Sequence, residues 1–242
     1  MNAPEQDAPF WQRYPAERGR RRGRPPITRE AIVETALRLL DRDGLDQLSM
    51  RRVADALDTG PASLYWHVGS KDGLLDLIFD RVIGEQEVPD PDPERWQEQV
   101  KEIAANARAT ILRHRDIVRI SIGRYPMGPN ALRHTERALA VLRAGGVPDR
   151  LAVTGLWLLF AVVNGFTLDE TVDLGTEGAQ PVSQELANLA RDYLASLPAD
   201  RFPNLVAVAD HWSVADSDSR FELLIDLFVE GLAKRAEAER DR

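Results

Sequence analysis

The chain has 242 residues, no cysteine and a formal net charge of −8. Without cysteine it can form neither disulfides nor thiolate zinc sites, and its four histidines lack metal-ligand spacing, so we expect no metal, no cofactor and a cytoplasmic protein. The first fifteen residues have neither a basic start nor an apolar run, which argues against a secretory signal.

Charge is divided unevenly along the chain. Residues 18–71 hold eleven Lys or Arg and seven Asp or Glu, a net charge of +4, so the remaining residues sum to −12. Such asymmetry indicates a local nucleic-acid surface beside an acidic remainder that keeps the protein soluble.

A basic arm, RGRRRGRPP, occupies residues 18–26, where glycine and proline break any helix. One interpretation is a disordered, solvated tail, and we assign residues 1–23 to such an arm. The other is an arm that contacts phosphates or enters a minor groove through Arg22 and Arg24. The tetrapeptide Arg22-Gly23-Arg24-Pro25 also matches the core of an AT-hook, although four residues are a weak signal.

The segment from Ser49 to Lys71 predicts a helix-turn-helix. A first helix is expected from the N-cap Thr28 to Gly44, because its apolar residues recur with a 3.6-residue period. Two short helical patterns then follow, separated by the turn Asp58-Thr59-Gly60-Pro61. In a helix-turn-helix the second helix lies in the DNA major groove.

The second of these helices has two distinct faces. Leu64 and Val68, spaced i and i+4, should face the core, and Trp66 is also expected to be buried. Arg51 and Lys71 stand at helix starts, where a phosphate is favoured. The outward face, which we predict to meet DNA, consists of Pro61, Ala62, Ser63, Tyr65 and His67.

The rest of the chain is predicted to be helical, which gives an all-α fold. Ser70 should cap a helix, and residues 86–94 break it with alternating prolines. We place a helix-turn-helix domain at residues 24–84 and a second helical domain at 94–238, for which the family resemblance described below implies ligand binding and dimerisation. Further helices are expected at about 95–113, 116–122, 130–144, 148–172, 183–196 and 218–237.

The apolar stretch Leu151–Leu168 reaches the lower length limit for a membrane span, at ~18 residues. Thr154, Asn164 and Thr167 interrupt it, and no second span follows. We therefore expect a buried core helix and no membrane association.

These motifs resemble the tetracycline-repressor (TetR) family of bacterial regulators. The specific part is LSMRRVA at 48–54, followed by SLYWHV at 63–68 and then Lys71. Four later stretches are similar to the subgroup of the tetracycline repressor itself: RWQ at 95–97, HRD at 114–116, RYP at 124–126 and GFTL at 165–168. The resemblance covers about residues 24–238 and is stronger before Gly84.

The resemblance implies an all-helical homodimer with two DNA-binding heads and a ligand-binding core. It implies DNA contacts at Arg51, Pro61, Ala62, Ser63, Tyr65 and Lys71. Pro61 stands where the tetracycline repressor has a base-reading Gln, so the operator should differ. The two long helices, 148–172 and 218–237, would pair across a two-fold axis as a four-helix interface.

The ligand side departs from the tetracycline repressor. The tetracycline repressor holds the drug with an Asn, a metal-binding His and a Gln, and this chain has Ile103, Ser121 and Ala138 at the matching positions. We therefore predict neither tetracycline nor a metal as the ligand. Trp157, Phe160 and Asn164 share one face of the long helix and would line a more apolar pocket. The other walls would come from Ile103, Ala107, Ser121, Arg124 and Tyr125. The alternative is that these are simply core residues.

The sequence therefore predicts a repressor that a largely apolar small molecule releases from a palindromic double-stranded operator. A DNA-binding regulator without a ligand remains an alternative, and its sign would be a core with no cavity. An activator would have the same sequence features. An enzyme is disfavoured, because we find no nucleophile-base pair, phosphate-binding glycine loop or metal cluster.

Overall fold

The computed structural model describes residues 27–171, 184–211 and 217–240. Over these ranges the regular structure is entirely helical, which confirms the all-α prediction. The basic arm with Arg22 and Arg24, and the loop expected at 175–180, lie outside the described residues. Two compact units are described, one formed by 27–171 and 228–240 and the other by 184–211 and 217–227.

The helices follow the predicted order, and their ends fall within about three residues of the predicted ones. A helix at 203–208 emerges from a stretch for which the sequence pattern is mixed. The α-helices of the described ranges are α1 Arg29–Asp43, α2 Met50–Ala56, α3 Pro61–Val68, α4 Lys71–Ile83, α5 Trp96–Arg113, α6 Ile117–Ser121, α7 Pro129–Ala144, α8 Asp149–Thr171, α9 Gln184–Ala195, α10 Pro203–Val208 and α11 Ser217–Arg240.

Local capping chemistry explains where the first helices begin and end. The side chains of Thr28, Ser49 and Ser70 each accept a hydrogen bond, at 2.9–3.3 Å, from the backbone N–H three residues later. Gly44 ends α1 with a φ of +83°, a backbone conformation that disfavours other residues. These capping residues fix the boundaries of the head, which we define as α1 to α4.

The head has its own apolar core. Helices α1 to α4 pack against one another, and Leu64 and Val68 are buried as predicted. Trp66 corrects the prediction, because its side chain is 54% exposed. It lies two residues from both Leu64 and Val68, and about 200° around a helix from each, so it points away from the face that they bury.

Helices α5, α7 and α8 pack together as the centre of the core, and α4 joins this group through α5, α6 and α7. Helix α8 is long and apolar enough to cross a membrane, with a mean hydropathy of 1.9 over its most apolar 18 residues. Of these residues, 33% are buried within the chain. The sequence predicts a buried core helix, and within the described chain this holds for only part of α8. Helix α8 packs on α5 and α7, while the side chains of Val153, Trp157 and Leu158 remain exposed.

Candidate DNA-binding face and ligand cavity

The predicted DNA-contacting residues form an exposed face on the head. Arg51, at the start of α2, keeps an 86% exposed side chain, with only a 3.9 Å contact to Asp55. Tyr65 is 47% exposed, and Lys71 is exposed at the first position of α4. In the first half of α3, Pro61 and Ala62 are exposed and Ser63 is half-buried; His67 is half-buried near its end.

The net positive charge of residues 18–71 comes from the arm. Residues 18–24 hold five arginines, whereas residues 27–71 hold six basic and seven acidic residues. Acidic residues of the head also engage the segment around α6: Asp46 pairs with Arg119 at 3.1 Å, and Asp41 lies 3.1 Å from His114. These contacts hold two carboxylates of the head against the core.

A cavity of about 210 Å³ lies in the core beside the head. Helices α4, α5, α6, α7 and α8 and the loop after α6 supply its walls, which are mostly apolar. It is lined by Phe79, Ile83, Gln86, Ala107, Ile111, Ser121, Arg124, Pro126, Ala131, His134, Thr135, Trp157, Phe160, Ala161, Val163 and Asn164.

Most of the expected pocket residues meet at this cavity. Six line it: Ala107, Ser121, Arg124, Trp157, Phe160 and Asn164. Tyr125 reaches it through Trp157, whose ring centroid is 4.7 Å from that of Tyr125. Ile103 and Ala138 do not line it. They face a separate gap of about 10 Å³, because the cavity meets α5 and α7 roughly one turn away, at Ala107 and His134.

His134 is a cavity residue that the sequence analysis did not include. Its ring lies 5.9 Å from that of Phe160, and the residue is only 5% exposed. Burial lowers the pKa of His134 to about 4, so the imidazole is neutral at pH 7. Its Nε2 atom has no hydrogen-bond partner among the described residues. The sequence signal was a lone histidine one turn before Ala138 on a helix face.

Arg124 links the cavity to α4, the helix that follows α3. Its guanidinium is paired with Asp76 of α4 and lies 3.1 Å from the Asp72 carboxylate. It also donates to the Asp72 carbonyl oxygen at 3.3 Å. The Arg124 side chain therefore lines the cavity and holds the first half of α4 at the same time.

Two further contacts fix α4 to the core. The buried carboxylate of Asp80 accepts hydrogen bonds from the first turn of α7, at 2.9 Å from the Ala131 N–H and 3.1 Å from the Asn130 amide. Just beyond α4, the Glu85 carboxylate lies 3.0 Å from Nε2 of His114. Burial alone would raise the pKa of Glu85, but the hydrogen bond with His114 and nearby positive charges lower it.

The fold and the two sites define a class of protein: a helix-turn-helix DNA-binding regulator with a cavity in its helical core. The family model described as bacterial regulatory proteins of the tetR family matches residues 32–78. The model described as the tetracyclin repressor-like C-terminal domain matches residues 88–236. The chain belongs to the TetR family of transcriptional regulators.

Solved structures and curated relatives agree with this membership. Apo ActR from Streptomyces coelicolor is 46% identical, with a TM-score of 0.81 over 90% of this chain and 100% of ActR. ActR in complex with actinorhodin is 47% identical, with a TM-score of 0.79 over 88% of this chain and 99% of ActR. An HTH-type transcriptional regulator from Saccharopolyspora erythraea is 42% identical over 125 residues, 52% of this chain and 53% of the relative. The chain thus spans about half the length of that curated relative.

Proposed function

We propose that this regulator is a repressor that leaves its operator when a small molecule occupies the core cavity. The observation that carries the proposal is the position of α4. Its first residue, Lys71, follows the recognition helix α3 closely, and its later residues Phe79 and Ile83 line the cavity. Any ligand that moves α4 therefore acts directly on the head.

The proposed switch depends on differential affinity. A ligand shifts the protein away from DNA only if it binds the cavity more tightly in the released arrangement than in the DNA-bound one. Arg124 is the natural link, since it lines the cavity and pairs with Asp72 and Asp76 on α4. A ligand that displaces the loop after α6 would carry this pairing with it.

The cavity walls support a largely apolar effector. Aromatic and aliphatic side chains, among them Phe79, Trp157 and Phe160, make up most of the lining. The complex of the relative ActR with actinorhodin supports a small-molecule ligand for this fold. The existence of a cavity favours this proposal over a regulator without a ligand, whereas an activator would use the same two sites.

We also propose that the chain acts as a homodimer. Helix α8 exposes the apolar side chains of Val153 and Leu158 at 48% and 53%. Exposed apolar residues of this kind on a long helix are suited to a four-helix interface across a two-fold axis, as the sequence resemblance implies. Two heads would then meet two halves of a palindromic operator in double-stranded DNA.

The DNA-binding part is tested by selecting operator sequences from a random duplex library and measuring affinity by fluorescence anisotropy. Ser63, near the start of α3, is proposed to read a base edge, whereas Tyr65 and Lys71 are proposed to hold phosphates. Arg51, Pro61, Ala62 and His67, with Arg22 and Arg24 of the arm, complete the proposed DNA-binding set.

Tyr65→Ala and Lys71→Ala should weaken binding to all sequences to a similar degree, and Lys71→Ala should reduce the salt dependence by about one phosphate contact. Ser63→Ala should instead change the sequence preference. Glu98→Ala is the matched control, because Glu98 is an exposed residue of the core helix α5. Unchanged operator affinity in all three head variants would refute this DNA-binding face.

A further inference from the structure

A residue that lines the cavity, His134, carries a polar atom without a partner in the described part of the chain. Nε2 of His134 is buried and makes no hydrogen bond to the described residues, although it belongs to a strongly polar ring. An unpaired buried donor or acceptor costs about 1–3 kcal/mol of stability. Such a cost is unusual in a native core and is relieved when a ligand supplies the missing hydrogen bond.

Aromatic rings lead from solvent to this atom. Tyr125 and Trp157 form a pair whose members are 64% and 42% exposed. Phe160 follows Trp157 by three residues on α8, and its ring lies 5.9 Å from His134, which is 5% exposed. The cavity thus runs from an exposed aromatic pair to a buried imidazole.

We propose that the effector is a planar aromatic molecule whose hydroxyl group forms a hydrogen bond with Nε2 of His134 at the buried end of the cavity. This inference rests on the proposed function, in which a ligand occupies the same cavity. A hydroxyl can both donate and accept, so it suits either neutral tautomer of the imidazole. A planar ring suits the faces of Trp157 and Phe160, since aromatic rings stack with offset or tilted geometry.

Charge argues against an anionic group at this position. Burial lowers the pKa of His134, so its imidazole is neutral. Arg124, the cationic side chain among the lining residues described, already pairs with Asp72 and Asp76. An unpaired carboxylate there would be strongly disfavoured. A neutral hydroxyl needs only one hydrogen-bond partner, which His134 provides.

The volume sets the size of a suitable probe. An apolar cavity of roughly 150 Å³ accommodates benzene, so the 210 Å³ observed here suits a two-ring aromatic molecule. We choose 2-naphthol and naphthalene, which differ only by the hydroxyl group. Their affinities for the full chain are measured by titration calorimetry at pH 7.5.

The wild-type protein should bind 2-naphthol about tenfold more tightly than naphthalene, which corresponds to one net hydrogen bond. His134→Leu should abolish this preference, and His134→Gln, which keeps a polar group, should retain part of it. His211→Leu is the matched control, since His211 is an exposed histidine that does not line the cavity, and it should keep the preference. In the wild-type protein, the ¹⁵N resonance of His134 Nε2 should shift with 2-naphthol and not with naphthalene, which gives a readout independent of variant folding.

Failure of this inference is distinguishable from failure of the proposed function. One outcome would show that the cavity is a ligand site and refute the role of His134. In that outcome both probes bind, Phe160→Ala weakens the binding of both equally, and His134→Leu leaves the ratio of the two affinities unchanged. A Nε2 resonance that does not respond to 2-naphthol refutes it as well. If neither probe binds the wild-type protein, the ligand site itself is refuted and this inference falls with it.

Discussion

The attachment of the head to the core gives the most quantitative prediction, which concerns Asp80→Ala. Asp80 is 7% exposed, and its carboxylate accepts hydrogen bonds from the Ala131 N–H at 2.9 Å, the Asn130 side-chain amide at 3.1 Å and the Asn130 N–H at 3.4 Å. A negative charge at this position also stabilises the N-terminus of α7.

The expected cost follows from what the substitution leaves unpaired. Ala131 is 2% exposed, so its N–H would remain buried without a partner, at about 1–3 kcal/mol. Asn130 is half-buried and can partly rehydrate, which adds a smaller loss. We expect a total of about 3 kcal/mol, equivalent to a fall in melting temperature of about 6–12 °C for a chain of this length.

Scanning calorimetry at fixed protein concentration checks this prediction. Asp90→Ala is the control, since the Asp90 side chain is 98% exposed and its pair with Arg137 should contribute under about 1 kcal/mol. Asp80→Asn should fall between Asp80→Ala and the wild type, because it retains one accepting oxygen. If Asp80→Ala melts within about 2 °C of Asp90→Ala, the Asp80 carboxylate does not hold α7 in the way described.

Three further perturbations test other parts of the structure. Leu64→Ala should lower the free energy of unfolding, measured with urea, by about 3 kcal/mol, because the Leu64 side chain is fully buried. Trp66→Ala should lower it by under about 1 kcal/mol, because Trp66 is exposed. Arg108→Ala should lower the free energy of unfolding by about 2 kcal/mol in the same assay, because it removes two charge-assisted hydrogen bonds, at 2.6 and 2.9 Å, from the shielded pair with Glu170. Stability should fall by about 3 kcal/mol as pH drops from about 6.5 toward 4, because the folded pKa of His134 is about 4 and the unfolded pKa is higher. His134→Leu should remove this part of the pH dependence, and equal pH profiles would contradict the burial of a neutral imidazole.

The elements that were predictable from sequence are those governed by local chemistry. Thr28, Ser49 and Ser70 begin helices because their side chains accept from the first turn, and that pattern is visible in three or four residues. The positions of Leu64 and Val68 followed from helical periodicity in the same way. The most specific part of the resemblance to a known family, residues 48–71, lies in this same region.

The elements that were not predictable depend on which turn of a helix meets its neighbour. Ile103 and Ala107 are one turn apart on α5, and both are buried, yet only Ala107 lines the cavity. Periodicity places both on the same face, so sequence alone cannot choose between them. The same reasoning applies to Ala138 and His134 on α7. The prediction of a buried Trp66 was wrong, because its angular position on α3 directs it outward.

The central claim, that the core cavity controls the DNA-binding head, is tested most directly by one coupling measurement. A compound found by thermal-shift screening to bind the wild-type chain, and bound weakly by Phe160→Ala, is titrated into the complex with the selected operator. The account predicts that the compound lowers operator affinity by about tenfold or more, and that the operator lowers affinity for the compound by the same factor, as thermodynamic linkage requires. A compound that fills the cavity and leaves operator affinity unchanged would contradict the account.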